Sequence, residues 1–307
     1  MRVAFLGKGG SGKSTMAAAF TKHVGKTQSV VAIDADVNQH LGSLLNIENG
    51  KSMGDTFCSI QQYVLGARTD LAASEVVGTL PPSKHSRFIT VNLDDPFIRE
   101  HAVTKGNVSM LQVGTYEGKD VGKTCYHTKL ASLELFMHHL LDRKNDMVIV
   151  DSTAGIDILG TSLHMAYDVL VFVVEPTQKS VAVYNDFMQR YTGDSRVVVI
   201  GNKVMDGDEA YLREQIGDSL VGIIPHSKSV RQYEQGRTPF DSFVDANSEV
   251  FDGILQKIGT VERDWGSYLH NLCTAHDQIC KEWYDAYYKK ELSKLSETEF
   301  SYNEVIQ

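Results

Sequence analysis

Gly7, Gly12, Lys13 and Ser14, within GKGGSGKST at residues 7–15, stand at the spacing of a phosphate-binding loop. Such a loop turns successive backbone N–H groups toward an anion at a helix N-terminus, where the helix dipole also favours negative charge. Here Gly9, Gly10, Ser11, Gly12, Lys13, Ser14 and Thr15 would wrap the phosphates. Lys13 would reach the β and γ phosphates and the Ser14 hydroxyl would ligate Mg²⁺, chemistry suited to phosphoryl transfer. One lysine is left over. Pointing outward from the turn, Lys8 reaches its own phosphates poorly but could reach those of a neighbouring chain, as a cation supplied in trans. A solvated surface lysine is the plainer reading of the same residue.

The elements that must position these groups recur along the chain. RVAFL (2–6), SVVAI (29–33), VSMLQV (108–113), MVIVD (147–151), VLVFVV (169–174), RVVVI (196–200) and LVGII (220–224) are short, β-branched and apolar on both faces. With amphipathic stretches between them, they predict an α/β fold: a doubly wound, mostly parallel sheet of seven or eight strands. Ligands in such sheets sit beyond the carboxyl ends of the strands. The residues found there are GKGG, DAD, DSTAG, EPTQ, GNK and PHSK, almost all polar or glycine-rich. Residues 48–107 read as an insertion on the sheet edge, with a helix at 55–66, a polar connection at Pro81-Pro82 and an extra strand at RFITVNL. Residues 259–307 read as a helical tail on an ATPase domain spanning 1–258.

The string KGGxGKS resembles the deviant phosphate loop of the MinD, ParA, nitrogenase iron protein and arsenite-pump ATPases. That resemblance implies a P-loop NTPase that binds ATP and Mg²⁺ in a face-to-face homodimer, with Lys8 crossing to the partner's nucleotide. AIDADVNQHLG (32–42) is similar to the family's first switch, which implies that Asp36 handles the attacking water and that Asp34 supports the magnesium shell. Val37 stands where the family often has proline. VIVDSTAGID (148–157) resembles the second switch, giving Asp151 a magnesium water; a helix N-cap is the alternative. In VVVIGNKVMD, Asn202, followed by Lys203, resembles the residue that meets the adenine edge. Met205 occupies the place of a guanine-pairing aspartate, so ATP is favoured over GTP. Pro225, in GIIPHSKSVRQYEQGRTP, would flank the base.

LQVGTYEGKDVGKTCYHTKLASLELFMHHLL (111–141) resembles the ATPases that insert nickel into carbon monoxide dehydrogenase, the CooC type, in which a loop before a helix carries C-x-C near the dimer axis. This chain has Cys125-Tyr126-His127 instead. Thiolate and imidazole both suit Ni²⁺ or Zn²⁺, and two chains would supply a Cys₂His₂ set. The expected client is a metalloenzyme or its assembly factor; the competing reading is a nucleotide-switched positioning ATPase. An iron–sulfur cluster fits less well, since Ser152, Thr153 and Ala154 stand where its second cysteine would be.

In the tail, Cys273, His276 and Cys280, with His270 close by, could share a helical face and hold a metal. Leu269, Leu272, Ile279, Trp283 and Tyr287 belong to the same stripe, so packing explains that face equally. KEWYDAYYKKELSKL, in the same tail, could anchor at a membrane interface, an idea its acidic surroundings weaken. Cys58, His138, His139 and His164 receive no role. A formal net charge of -9 and a pI near 5.6 argue against nucleic acid or anionic lipid as partners. No apolar run approaches the roughly 18 residues of a membrane span. With only four cysteines and a nucleotide loop, the expected location is the cytoplasm.

Overall fold

The computed structural model describes residues 1–306 apart from 119, 121, 124 and 144. Among the described residues ten strands run β1 (Arg2–Gly7), β2 (Val30–Asp34), β3 (Ile89–Thr90), β4 (Val103–Lys105), β5 (Val108–Gln112), β6 (Leu140–Leu141), β7 (Met147–Asp151), β8 (Val169–Val174), β9 (Arg196–Val204) and β10 (Leu220–Pro225). The helices that cover them are α1 (Lys13–Val24), α2 (Leu41–Leu45), α3 (Phe57–Leu65), α4 (Pro96–His101), α5 (Tyr126–His138), α6 (Gln178–Arg190) and α7 (Asp208–Ile216). Further along lie α8 (Lys228–Glu234), α9 (Asp241–Ala246), α10 (Ser248–Ile258), α11 (Trp265–Ile279) and α12 (Asp285–Tyr288).

Among the described residues the main sheet has eight strands in the order β10-β9-β8-β1-β7-β2-β5-β4. Its pairs are parallel except β4 with β5. β1, β2, β7 and β8 are buried along their whole length because helices cover both faces. Two apolar layers result, one around Phe20, Ile149 and Phe251, the other around Phe136, Phe172 and Leu133.

The insertion does reach the sheet edge, but RFITVNL is not the part that joins the main sheet. Only Ile89 and Thr90 are extended, and they pair with β6 in a separate two-stranded sheet. The edge belongs to β4, which a two-residue turn, Gly106-Asn107, folds back antiparallel onto β5. Gly106 takes the left-handed φ of 60° that such a turn demands. A local hairpin closes at small entropic cost, so it occupies the edge ahead of a more distant segment.

The tail docks at the opposite end of the sheet from the phosphate loop. Arg263 donates to both Asp142 and Asp168 at 2.8–3.1 Å, and the wholly buried Arg2, which opens β1, donates to Asp142 at 2.9 Å. The Arg263 guanidinium also lies 4.4 Å over the Trp265 ring. α11 buries Tyr268, Leu272 and His276. Trp283 and Tyr287 leave that stripe and are 70% and 76% exposed, which corrects their expected place in the packed face. The cause is a π-helical turn over Cys280–Tyr284, which rotates the succeeding residues off the 3.6-residue register. The tail also grips the insertion: Thr79 meets His276 at 3.2 Å, Lys290 pairs with Glu75 at 2.6 Å, and Phe300 stacks on Phe88. Among the described residues no helix is long and apolar enough to cross a membrane.

Candidate nucleotide site

β1 delivers the chain into the phosphate loop, and α1 begins at Lys13. Gly12, the residue before the helix, has φ +92°, and a β-carbon there would collide with the Asn202 amide. Only glycine meets both conditions. The Asn202 amide nitrogen donates to the Ser11 carbonyl at 2.7 Å, and Lys203 Nζ donates to the Gly10 carbonyl at 2.7 Å. Two consecutive loop carbonyls are thereby drawn outward toward β9. Lys203 reaches its place from a left-handed φ of 59°, unusual for a residue with a side chain.

Lys13 Nζ sits 2.8 Å from Asp36 Oδ2 and 2.8 Å from Asp151 Oδ1, with 6% of its side chain exposed. Burial opposes its charge, but Asp151 and Asp36 outweigh burial and raise its pKa. Burial also pushes at Asp36, where the Lys13 ion pair prevails and holds the carboxyl below its ordinary range. At the wholly buried Asp151 desolvation prevails over Lys13 and the carboxyl is raised. Its Oδ2 is buried without a protein hydrogen-bond partner among the described residues. Asp34, raised to about 7 by burial and then by the charge of Asp151, uses Oδ1 to accept from the Asp36 N–H (3.2 Å) and Oδ2 to accept from the Leu41 N–H (2.9 Å). It braces the turn from Asp34 to Leu41, while Asp36 faces the lysine.

Lys8 folds back, donating to the Gly9 carbonyl at 3.1 Å, and lies 3.9 Å from Glu175. The cleft above the loop, about 790 Å³, is lined by the loop, Asp36, Asn202, Lys203 and Pro225. Sequence reasoning missed His40, Ser43, Arg231 and Tyr233 on its far wall. Tyr233 closes that wall by donating to the Ser43 carbonyl at 3.1 Å. The signal lay in KSVRQYE after the last strand, a helix with no buried residue that nevertheless lines a cleft.

Cys125 and His127 come together at the start of α5, Sγ to Nδ1 3.2 Å, both exposed. Between them Tyr126 is buried, and its hydroxyl lies 3.1 Å from the Ala35 carbonyl and 3.2 Å from that of Gly114. The two candidate ligands are therefore tied to the strand end that carries Asp34 and Asp36. In the tail, His276 sits 3.5–3.6 Å from the Cys280 sulfur and uses its ring nitrogens on Thr79 and the Leu292 carbonyl. Among the described residues no group of three or more His, Cys, Asp or Glu side chains is arranged to hold a metal ion.

A glycine-rich loop at a helix N-terminus, with a buried lysine and two carboxylates at the carboxyl ends of parallel strands, defines a P-loop nucleoside triphosphatase. Over residues 3–240 the chain matches the CobQ/CobB/MinD/ParA nucleotide binding domain, and it belongs to that family of ATPases. It is 28% identical over 243 residues to an uncharacterized ATP-binding protein of Methanocaldococcus jannaschii, covering 76% of this chain and 88% of the relative. It is 26% identical over 271 residues to the carbon monoxide dehydrogenase accessory protein CooC of Rhodospirillum rubrum, covering 85% of this chain and 99% of the relative. The fold is similar to that of a ParA family ATPase from Chlorobium tepidum (TM-score 0.56, 15% identity, 84% of this chain and 96% of that one). The Pyrococcus furiosus cell division ATPase MinD is comparable (TM-score 0.55, 14% identity, 84% and 97%).

Proposed function

We propose that this ATPase works as an ATP-bridged homodimer that couples slow hydrolysis to the delivery of a transition metal to a metalloenzyme. The observation that carries the reading is the exposed Cys125–His127 pair, 3.2 Å apart and joined through Tyr126 to the first switch. The resemblance to CooC, over 85% of this chain and 99% of that protein, supports it.

In this reading Lys13 leaves Asp36 and Asp151 when the phosphates arrive, since their charge density exceeds that of the carboxylates. Asp36, freed, orients and accepts the proton of the attacking water. Lys8 reaches the nucleotide of the other chain. Asn202 keeps its amide nitrogen on Ser11 and turns its oxygen to the exocyclic amine of adenine, with Pro225 beside the base. Ser14 and the unpartnered Oδ2 of Asp151 fit a hydrated Mg²⁺, with Asp36 and Asp34 supporting its water shell; the ion would neutralise charge on the phosphates. The cargo is Ni²⁺ or Zn²⁺, held by Cys125 and His127 of both chains. Each chain alone offers two donors, so capture requires the closed dimer and ATP sets its timing.

Elemental analysis of anaerobically purified protein with Mg²⁺ and a slowly hydrolysed ATP analogue tests this. About one nickel or zinc per dimer is expected, and none in Cys125→Ser. No metal in either protein would favour the second reading, a nucleotide-switched positioning ATPase. The exposed Trp283 and Tyr287 would then be its partner contact.

A further inference from the structure

We propose that Glu175 is a positioning residue that parks Lys8 on its own chain until the nucleotide of a second chain claims it. The inference rests on the reading that Lys8 acts in trans.

The backbone of Glu175 is tightly placed. It follows the last residue of β8 and precedes Pro176; its N–H donates to the Ser180 hydroxyl at 3.0 Å, and its carbonyl accepts from Thr177 at 2.7 Å. The side chain, 17% exposed, is shared by two ammonium groups: Oε1 lies 2.7 Å from Lys203 Nζ and Oε2 lies 3.9 Å from Lys8 Nζ. The two lysines are not held equally. Lys203 has a second short anchor in the Gly10 carbonyl, whereas Lys8 has a longer ion pair and the 3.1 Å bond to Gly9. With 35% of its side chain exposed, Lys8 pays little desolvation to leave. Because Lys203 stays, Glu175 is not left as an unpaired, mostly covered charge when Lys8 departs. The carboxylate can therefore hold Lys8 against its own chain while releasing it to a stronger anion. A polyphosphate on a facing chain is such an anion, and its charge outcompetes one carboxylate at 3.9 Å.

Glu175→Gln tests this, because the amide oxygen still accepts from Lys203 while the charge facing Lys8 is gone. Lys8 acylation by an N-hydroxysuccinimide ester is followed by peptide mass spectrometry in nucleotide-free protein, and dimer dissociation by sedimentation with a slowly hydrolysed ATP analogue. We expect Lys8 to react about two- to fivefold faster in the variant, the range of a partly exposed ion pair, and the dimer to tighten by a similar factor. Unchanged Lys8 reactivity overturns the parking contact. Faster reaction with an unchanged or weaker dimer overturns the holding role. A wild-type chain that stays monomeric with the analogue overturns the trans reading of Lys8, and this proposal with it, whatever the acylation result.

Discussion

Lys13 bridges two buried carboxylates, Asp36 and Asp151, at 2.8 Å each. Lys13→Ala therefore does two separable things. It removes the phosphate cation, so ATP turnover followed by phosphate release falls by at least about 100-fold. It also strands Asp36 and Asp151 side by side, and breaking a buried pair this way costs about 3–5 kcal/mol. Adding Asp151→Asn to Lys13→Ala removes the more deeply buried of the two stranded carboxylates; denaturant melts should show most of the lost stability restored while turnover stays lost. If the double variant is no more stable than the single, the two carboxylates are not the source of the cost. Asp36→Asn, by contrast, should leave nucleotide affinity within several-fold and cut turnover by about 10²–10⁴, the range of general base catalysis. At this scale the loop was legible because GxxxxGK[ST] is a spacing constraint on backbone geometry. The parking of Lys13 on two carboxylates was not, since nothing local in residues 7–15 reports which residues β2 and β7 bring opposite them.

Each central strand was legible as an element, because burial on both faces leaves only β-branched and apolar residues as candidates. Weaker elements were not: RFITVNL has strand composition, but the Gly106-Asn107 hairpin holds the sheet edge. The π turn at Cys280–Tyr284 has no composition signature, so a regular helical stripe extends as far as Trp283 and Tyr287 when read from spacing alone. The most consequential link between elements is also invisible in spacing. The Tyr126 hydroxyl on α5 faces carbonyls at the ends of β2 and of the segment after β5. Burial raises the Tyr126 pKa far above its ordinary value, so the group stays a neutral donor at any working pH. Tyr126→Phe removes that donor from two carbonyls and should cost about 1–3 kcal/mol. Hydrogen exchange should quicken around residues 35–38 and 114–116. If exchange there is unchanged, α5 and the segment after β2 are not coupled through this hydroxyl.

Across the whole molecule, the tail makes the insertion and the base of the sheet a single packed region, through Arg263 at one end and His276 at the other. Spacing alone gives Arg263 no role and sets His276 among candidate metal ligands, since Asp142, Asp168 and Thr79 all lie far from them in the chain. His276 makes this docking sensitive to acid. Burial lowers its pKa to about 4, against the raising effect of its bond to the Leu292 carbonyl; Arg68 lowers it further, while Asp277 and Asp285 raise it, and Cys280 and Thr79 face the ring. Between the ordinary value of 6.5 and about 4 the unfolded chain binds a proton that the folded chain does not. Stability contributed by this residue is therefore intact above 6.5 and is lost as the pH falls to about 4, at up to about 1.4 kcal/mol per pH unit. His138 and His139, both lowered by burial, act with the same sign, while Asp34 and Glu134, raised by burial, act with the opposite one. The difference between His276→Asn and wild type isolates the one residue. Urea melts from pH 7 to 4.5 should show a shallower loss of stability in the variant, with Trp265 fluorescence reporting release of the tail. Parallel pH profiles would mean that His276 keeps its proton balance on folding and that acid loosens the tail elsewhere.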